Sequence, residues 1–219
     1  MNDQLILKFP SHQAYKKEDF YVSPSNQEAY DFINSWPKWI KRIINVFGPS
    51  GSGKSHLSSI LKSKTSCLQI DSNELNEKIF FKFKTKEALI IENLDEKVSE
   101  KLLFSIWNIA LQDNKYLLIT SKKPINSYNF KLKDLISRVN SGLTIGIKLP
   151  SDELISVILA KNFSDKQIKV EKKHIDYIIK RIDRSYEKIS QFILTLDKYS
   201  LKKGSPFSLK LIKEVLKMI

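Results

Sequence analysis

A lysine and a hydroxyl stand directly behind three glycines in Gly48-Pro49-Ser-Gly51-Ser52-Gly53-Lys54-Ser55, which fits G-x-x-x-x-G-K-[ST] without a mismatch. The glycines let backbone N–H groups turn inward around phosphate oxygens. Lys54 has the reach for β- and γ-phosphates, and the Ser55 hydroxyl is a Mg²⁺ ligand type. Ile43 to Phe47, apolar and partly β-branched, predicts a buried strand feeding this loop. Residues 54–63, with His56 in the first turn, predict a helix whose positive end faces the same phosphates. A nucleotide-binding P-loop is the chemistry expected here.

A second acid-bearing segment supports it. Ala88-Leu-Ile-Ile91-Glu92-Asn93-Leu-Asp95 runs four apolar residues into a carboxylate, so Glu92 is the candidate metal-side acid at a strand end beside the P-loop. Asn93 follows where a water-orienting glutamate is usual, and an amide cannot accept a proton, so unaided hydrolysis is expected to be slow. Asp95 reads as a cap or loop residue. Tyr116–Thr120 is a further buried strand, and Thr120 and Ser121 at its end either sense a γ-phosphate through water or make a simple turn.

Around these segments strands and helices alternate, with further strands at 66–70 and 143–147 and helices at 27–35, 71–80, 98–112 and 131–140. The pattern predicts an α/β fold, a parallel sheet sandwiched by helices. From Pro150 the chain turns helical, at 151–162, 171–182, 184–202 and 208–219, which predicts a small all-helical lid. Three parts are expected: an N-terminal segment 1–12, a nucleotide-binding part 13–149 and the lid 150–219. Residues 15–25, with Phe20, Tyr21 and Val22, look like a loop crossing the nucleotide site, where their side chains enclose a base. Gln4 with alternating Leu5, Leu7 and Phe9 reads equally as an edge strand or as a peptide that docks in an apolar groove.

Composition sets limits. The 219 residues carry a net charge of +13, nearly all from lysines spread along the chain, so weak DNA affinity and a solvated surface are equally good accounts. Arginine is scarce: Arg42, Arg138, Arg181 and Arg184 are the four, and each marks a place where a planar fork matters. Cys67, the single cysteine, sits in an apolar run and reads as a reduced core residue. With neither a signal peptide nor an apolar run near membrane-spanning length, a cytoplasmic protein without membrane partners is expected.

With these pieces placed, the chain resembles the AAA+ class of P-loop NTPases, and within it the Hda subgroup related to the replication initiator DnaA. The resemblance rests on Glu18-Asp-Phe20, Ser23-Pro-Ser-Asn26, Trp36-Pro-Lys-Trp39, the loop ending Gly-Lys-Ser-His-Leu57, Glu92-Asn-Leu-Asp95, Asp134-Leu-Ile-Ser-Arg138 and Asp183-Arg184-Ser. It implies ADP or ATP as ligand with Mg²⁺, and Arg138 as an arginine finger projecting to a nucleotide on a neighbouring subunit. It implies Arg184 as the second sensor, with Glu187 or Lys188 in that place under other registers. It also implies that Gln4–Phe9 binds the DNA polymerase sliding clamp. The implied activity is to promote hydrolysis of DnaA-bound ATP and so restrain replication initiation, with DnaA and the clamp as partners and self-association left open. The chain stops at Ile219 after the lid, so sequence-specific DNA binding is not expected.

Overall fold

Apolar alternation along the central strands sets the architecture. The computed structural model describes residues 20–165, 168, 170–203 and 208–219. Strands β1 (Ile43–Phe47), β2 (Cys67–Asp71), β3 (Ala88–Leu94), β4 (Tyr116–Ser121) and β5 (Leu143–Gly146) form one sheet in the order β2-β3-β4-β1-β5. All neighbouring pairs are parallel. Successive side chains point to opposite faces. Ile43, Leu89, Ile91, Leu117 and Ile119 therefore pack on α3 (Lys78–Lys84), α4 (Glu100–Gln112) and α5 (Lys133–Ser141). Ile44, Val46, Ile90, Leu118 and Ile145 pack on α1 (Gln27–Asn34) and α2 (Lys54–Lys62). The expected parallel sheet, covered on both faces, is what the chain forms. Phe83 and Trp107 lie fully inside the first of these cores, and burying a side chain such as Phe83 stabilises by about 1.5–3 kcal/mol.

Beyond Pro150 the helices α6 (Asp152–Asp165), α7 (Lys172–Ile179), α8 (Tyr186–Lys203) and α9 (Leu209–Leu216) enclose an apolar core of their own, with Ile155, Leu159, Ile178, Phe192 and Ile212 inside it. Ser208 caps α9 by accepting from Leu211 N. One expected helix divides in two: Ser72–Glu74 is a single 3₁₀ turn with Asp71 accepting from Asn73 N, and α3 starts separately at Lys78. Cys67 is half-buried against the α1–α2 side of the sheet rather than enclosed, and burial still raises its thiol pKa. Among the described residues no helix is long and apolar enough to cross a membrane.

Candidate functional site

The strand order reverses at β1, which lies between β4 and β5 while the chain runs from β1 out to the edge strand β2. In open α/β sheets such a reversal opens a crevice at the carboxyl ends of the strands. The P-loop sits there, with Gly48 N donating to Ser121 O at the end of β4. Gly51 and Gly53 take φ of +79° and +92°, which only glycine adopts at little cost. A Cβ on Gly53 would lie 2.8 Å from the Phe20 ring, and one on Gly51 would lie 3.1 Å from Tyr186 Cβ. The loop is thus flanked by the segment before α1 and by the first residue of α8. Phe20 in turn stacks on Tyr30 and meets His56 edge-on.

Lys54 Nζ donates to Gly48 O and Pro49 O, both at 2.7 Å. Burial, and then the charge of Lys122, lower its pKa to about 8 against the opposing pull of Glu92. Ser55 Oγ donates to Glu92 Oε2 at 3.3 Å. Residues 37 positions apart that share one candidate metal are therefore side by side. Glu92 Oε1 and Ser52 Oγ are buried with no hydrogen-bond partner among the described residues. Such groups cost free energy unless something pairs them. The open carboxylate oxygen beside a hydroxyl fits Mg²⁺, which takes few protein ligands and completes its octahedron with phosphate and water.

Other expected site residues are placed differently. Thr120 Oγ1 accepts from Asn93 N, and Ser121 Oγ accepts from Asn45 Nδ2 and donates to Lys123 O. Both residues are buried, so neither hydroxyl stands open to a phosphate. Ser121 is turned inward by Asn45, a buried amide in β1 that also accepts from Ile125 N in the 3₁₀ turn after β4, and Thr120 by the backbone of Asn93. Arg184 makes a bidentate pair with Asp152 of α6 at 2.8 and 2.9 Å. Val22 is half-buried in a loop that Asn26 holds, its Oδ1 accepting from Ser23 N and its Nδ2 donating to Tyr21 O. Asn26 sits at the expected N-cap position but braces the loop instead of the helix. Tyr21, not Val22, faces a cleft of about 580 Å³ against α6 and α7. Gln4, Leu5, Leu7 and Phe9 lie outside the described residues.

Arg138 lies exposed in the last turn of α5. The Glu100 carboxylate on α4 accepts from the backbone N of Lys131 and Leu132, which holds the start of this segment in place and lowers the Glu100 pKa. The other arginines are engaged: Arg42 bonds Asn114 O and covers the Tyr116 ring, Arg181 lies 3.7 Å over Tyr177, and Arg184 holds Asp152. Among the described residues the Arg138 guanidinium makes no such contact.

Sequence reasoning missed Asn45, Asp71, Asp152 and Glu100 as positioning groups. Each acts on a residue far along the chain, and a lone polar residue at a strand or helix end carries no signal of that.

No model of a known family matches the chain. It is 25% identical over 234 residues to the chromosomal replication initiator protein DnaA of Borreliella afzelii, covering 94% of this chain and 48% of that protein. The chain thus spans about half the length of the curated relatives it matches. Its structure is similar to domain III of Thermotoga maritima DnaA, with a TM-score of 0.78 at 19% identity, covering 95% of this chain and 98% of the other. It is also similar to a replication initiator DnaA bound to AMPPCP and single-stranded DNA, with a TM-score of 0.70 at 16% identity over 87% of this chain and 68% of that one. The fold is the one these solved DnaA structures have.

Proposed function

We propose that this chain is a DnaA-related regulator of replication initiation. In this reading it binds ADP or ATP with Mg²⁺ and docks on the sliding clamp through Gln4–Phe9. It presents Arg138 to ATP held by DnaA and promotes its hydrolysis. The single observation that carries the proposal is Arg138, the one arginine of four with no partner among the described residues, on a helix braced by Glu100. A guanidinium supplied to a neighbour's phosphoryl group contributes on the order of 10³–10⁵ in rate.

The chain's own nucleotide takes a structural part. Backbone N–H groups of the P-loop and Lys54 would bind the phosphates, and Ser55 and Glu92 would hold Mg²⁺, which would supply neutralisation of phosphate charge. Phe20 lies against the loop at Gly53 and Tyr186 at Gly51.

The test is ATP hydrolysis by the cognate DnaA, with clamp loaded on DNA, with and without this protein. Stimulation that is lost both in Arg138→Ala and on removing residues 1–9 is the expected result. A variant lacking the Arg138 guanidinium that still stimulates fully overturns the finger role. A second reading, an accessory ATPase that acts on DNA itself, is favoured by the likeness to a DnaA bound to single-stranded DNA. It requires turnover by this chain alone, stimulated by DNA and steeply salt-sensitive.

A further inference from the structure

We infer that the amino-terminal end of the sheet, at the opposite end of the strands from the P-loop, is a docking face for the phosphate backbone of duplex DNA, without sequence preference. The net charge of +13 is not shared evenly between the two ends of the sheet. The connections that enter the five strands, residues 35–42, 63–66, 85–87, 113–115 and 142, carry Lys38, Lys41, Arg42, Lys64, Lys86 and Lys115 against Glu87 and Asp113 alone. The connections that leave them, residues 48–53, 72–77, 95–99, 122–132 and 147–151, carry five lysines against four carboxylates. One end is a field of one sign, which draws a polyanion, and the other is nearly balanced.

Two of these cations are already held in place, which an ordinary solvated lysine is not. Arg42 lies one residue before β1 and Lys115 one residue before β4, and the two strands are neighbours, with Leu117 N donating to Arg42 O at 2.8 Å. Arg42 Nη1 donates to Asn114 O at 2.7 Å, and its guanidinium lies 5.0 Å over the Tyr116 ring. Lys115 Nζ donates to Lys84 O at 2.8 Å and to Lys86 O at 2.6 Å. A guanidinium has five donors and an ammonium three, so each keeps N–H groups for a phosphate. A cation fixed by carbonyls also loses little side-chain freedom when the phosphate arrives. Both line a cleft of about 680 Å³ together with Lys84 and Lys86. Glu87, whose carboxylate accepts from Thr65 Oγ1, and Asp113 line it too and keep the affinity modest.

The rings at this end favour a duplex over a single strand. Proteins that hold single strands offer aromatic faces on which bases stack. Here Trp36 meets Trp39 and Tyr116 edge-on at 5.0 and 4.4 Å, Trp39 meets Tyr116 at 5.8 Å, and Arg42 covers Tyr116. That aromatic surface is taken up by its own packing. What remains is a set of cations, which meet phosphates and read no sequence.

The experiment follows the fluorescence anisotropy of a labelled duplex, without nucleotide, as the full chain is added at several salt concentrations. Two double variants that remove the same charge are compared: Arg42→Gln with Lys115→Gln at the cleft, and Lys122→Gln with Lys123→Gln at the other end of the sheet. The cleft pair should weaken binding at least about tenfold near about 0.1 M salt and make the slope of log K against log salt shallower by about two. The other pair should change the affinity less than about twofold. Lys84→Gln with Lys86→Gln removes two cleft charges and leaves the packing of Arg42 on Tyr116 intact, so it decides the matter where the first pair fails to fold, with a loss of at least about fivefold expected. Equal losses at the two ends would mean that net charge alone attracts DNA, and would overturn the inference. So would a parent that binds no duplex, or one that binds the single strand of the same sequence more tightly.

Discussion

Asn93 Nδ2 donates to Asp71 Oδ2 at 2.8 Å, so the amide that follows the metal-side acid is turned toward the edge strand β2. Asn93 takes a left-handed φ of +57° at the irregular step in β3–β4 pairing, a conformation asparagine tolerates better than most side chains. This bond is the leading cause of the lowered Asp71 pKa. The position cannot take a proton from water, and its amide is held toward β2 by Asp71. The isolated chain should hydrolyse ATP well below about 1 s⁻¹, the low end for ordinary enzymes. Asp71→Ala should release the amide without raising the rate. Phosphate release at saturating ATP checks both, and turnover near ten per second would sink this account of Asn93.

Arg184 and Asp152 form a pair that restrains the second-sensor candidate. Their side chains are 64% and 51% exposed, so the pair contributes under about 1 kcal/mol. Asp152→Asn should shift the melting temperature by less than about 4 °C. If Arg184 turns to the nucleotide once released, the same change should tighten nucleotide binding by up to about fivefold, because a larger fraction of the protein is competent. In an Arg184→Ala background that gain should vanish. A gain that persists there would mean Asp152 acts by another route.

How far the sequence carried depends on whether the partners are local. The strand, loop and helix at 43–62 follow from one contiguous motif, as does the acid at the end of β3. The Ser208 cap on α9 is of the same local kind, since capping chemistry lies within one turn. Thr120 and Ser121 were legible as strand-end hydroxyls, but their directions are decided in other strands, by the Asn93 backbone in β3 and by Asn45 in β1. The Asn93–Asp71 and Arg184–Asp152 pairs join residues 22 and 32 positions apart. Only the packing of neighbouring strands and helices brings such pairs together, and no periodicity announces them.

Gly53 offers a sharper test of the loop. Its φ of +92°, and the 2.8 Å that would separate a Cβ at this position from the Phe20 ring, mean that any side chain there is strained. Gly53→Ala should cost about 1–2 kcal/mol from the backbone alone, lowering the melting temperature by roughly 2–4 °C per kcal/mol. Nucleotide binding should be lost, since relieving the positive φ displaces the backbone N–H groups of the loop. Adding Phe20→Ala should recover part of the stability but not the binding. Full recovery of binding in the double variant would show that Phe20, not the loop backbone, governs access.

Lys54 makes nucleotide binding depend on pH in a direction that can be worked out. Its pKa stands near 8 because burial, and then Lys122, disfavour the ammonium, with Glu92 opposing. Phosphate oxygens favour the ammonium, so the pKa rises on binding and the protein takes up a proton. Affinity is therefore full below about pH 8 and declines as the pH climbs from there toward the bound-state value, by up to tenfold per pH unit. Lys122→Met removes one of the lowering charges, so its decline should begin at higher pH than in the parent, although burial of Lys54 still holds the onset below that of a free lysine. Titration with mant-ADP from about pH 7 to about pH 9.5, a window that brackets the lowered Lys54 pKa and stops short of the ordinary lysine value, measures both profiles. A flat parent profile would show that Lys54 does not carry the charge that binds phosphate, whereas coincident declines in parent and variant would show that Lys122 does not reach Lys54 electrostatically.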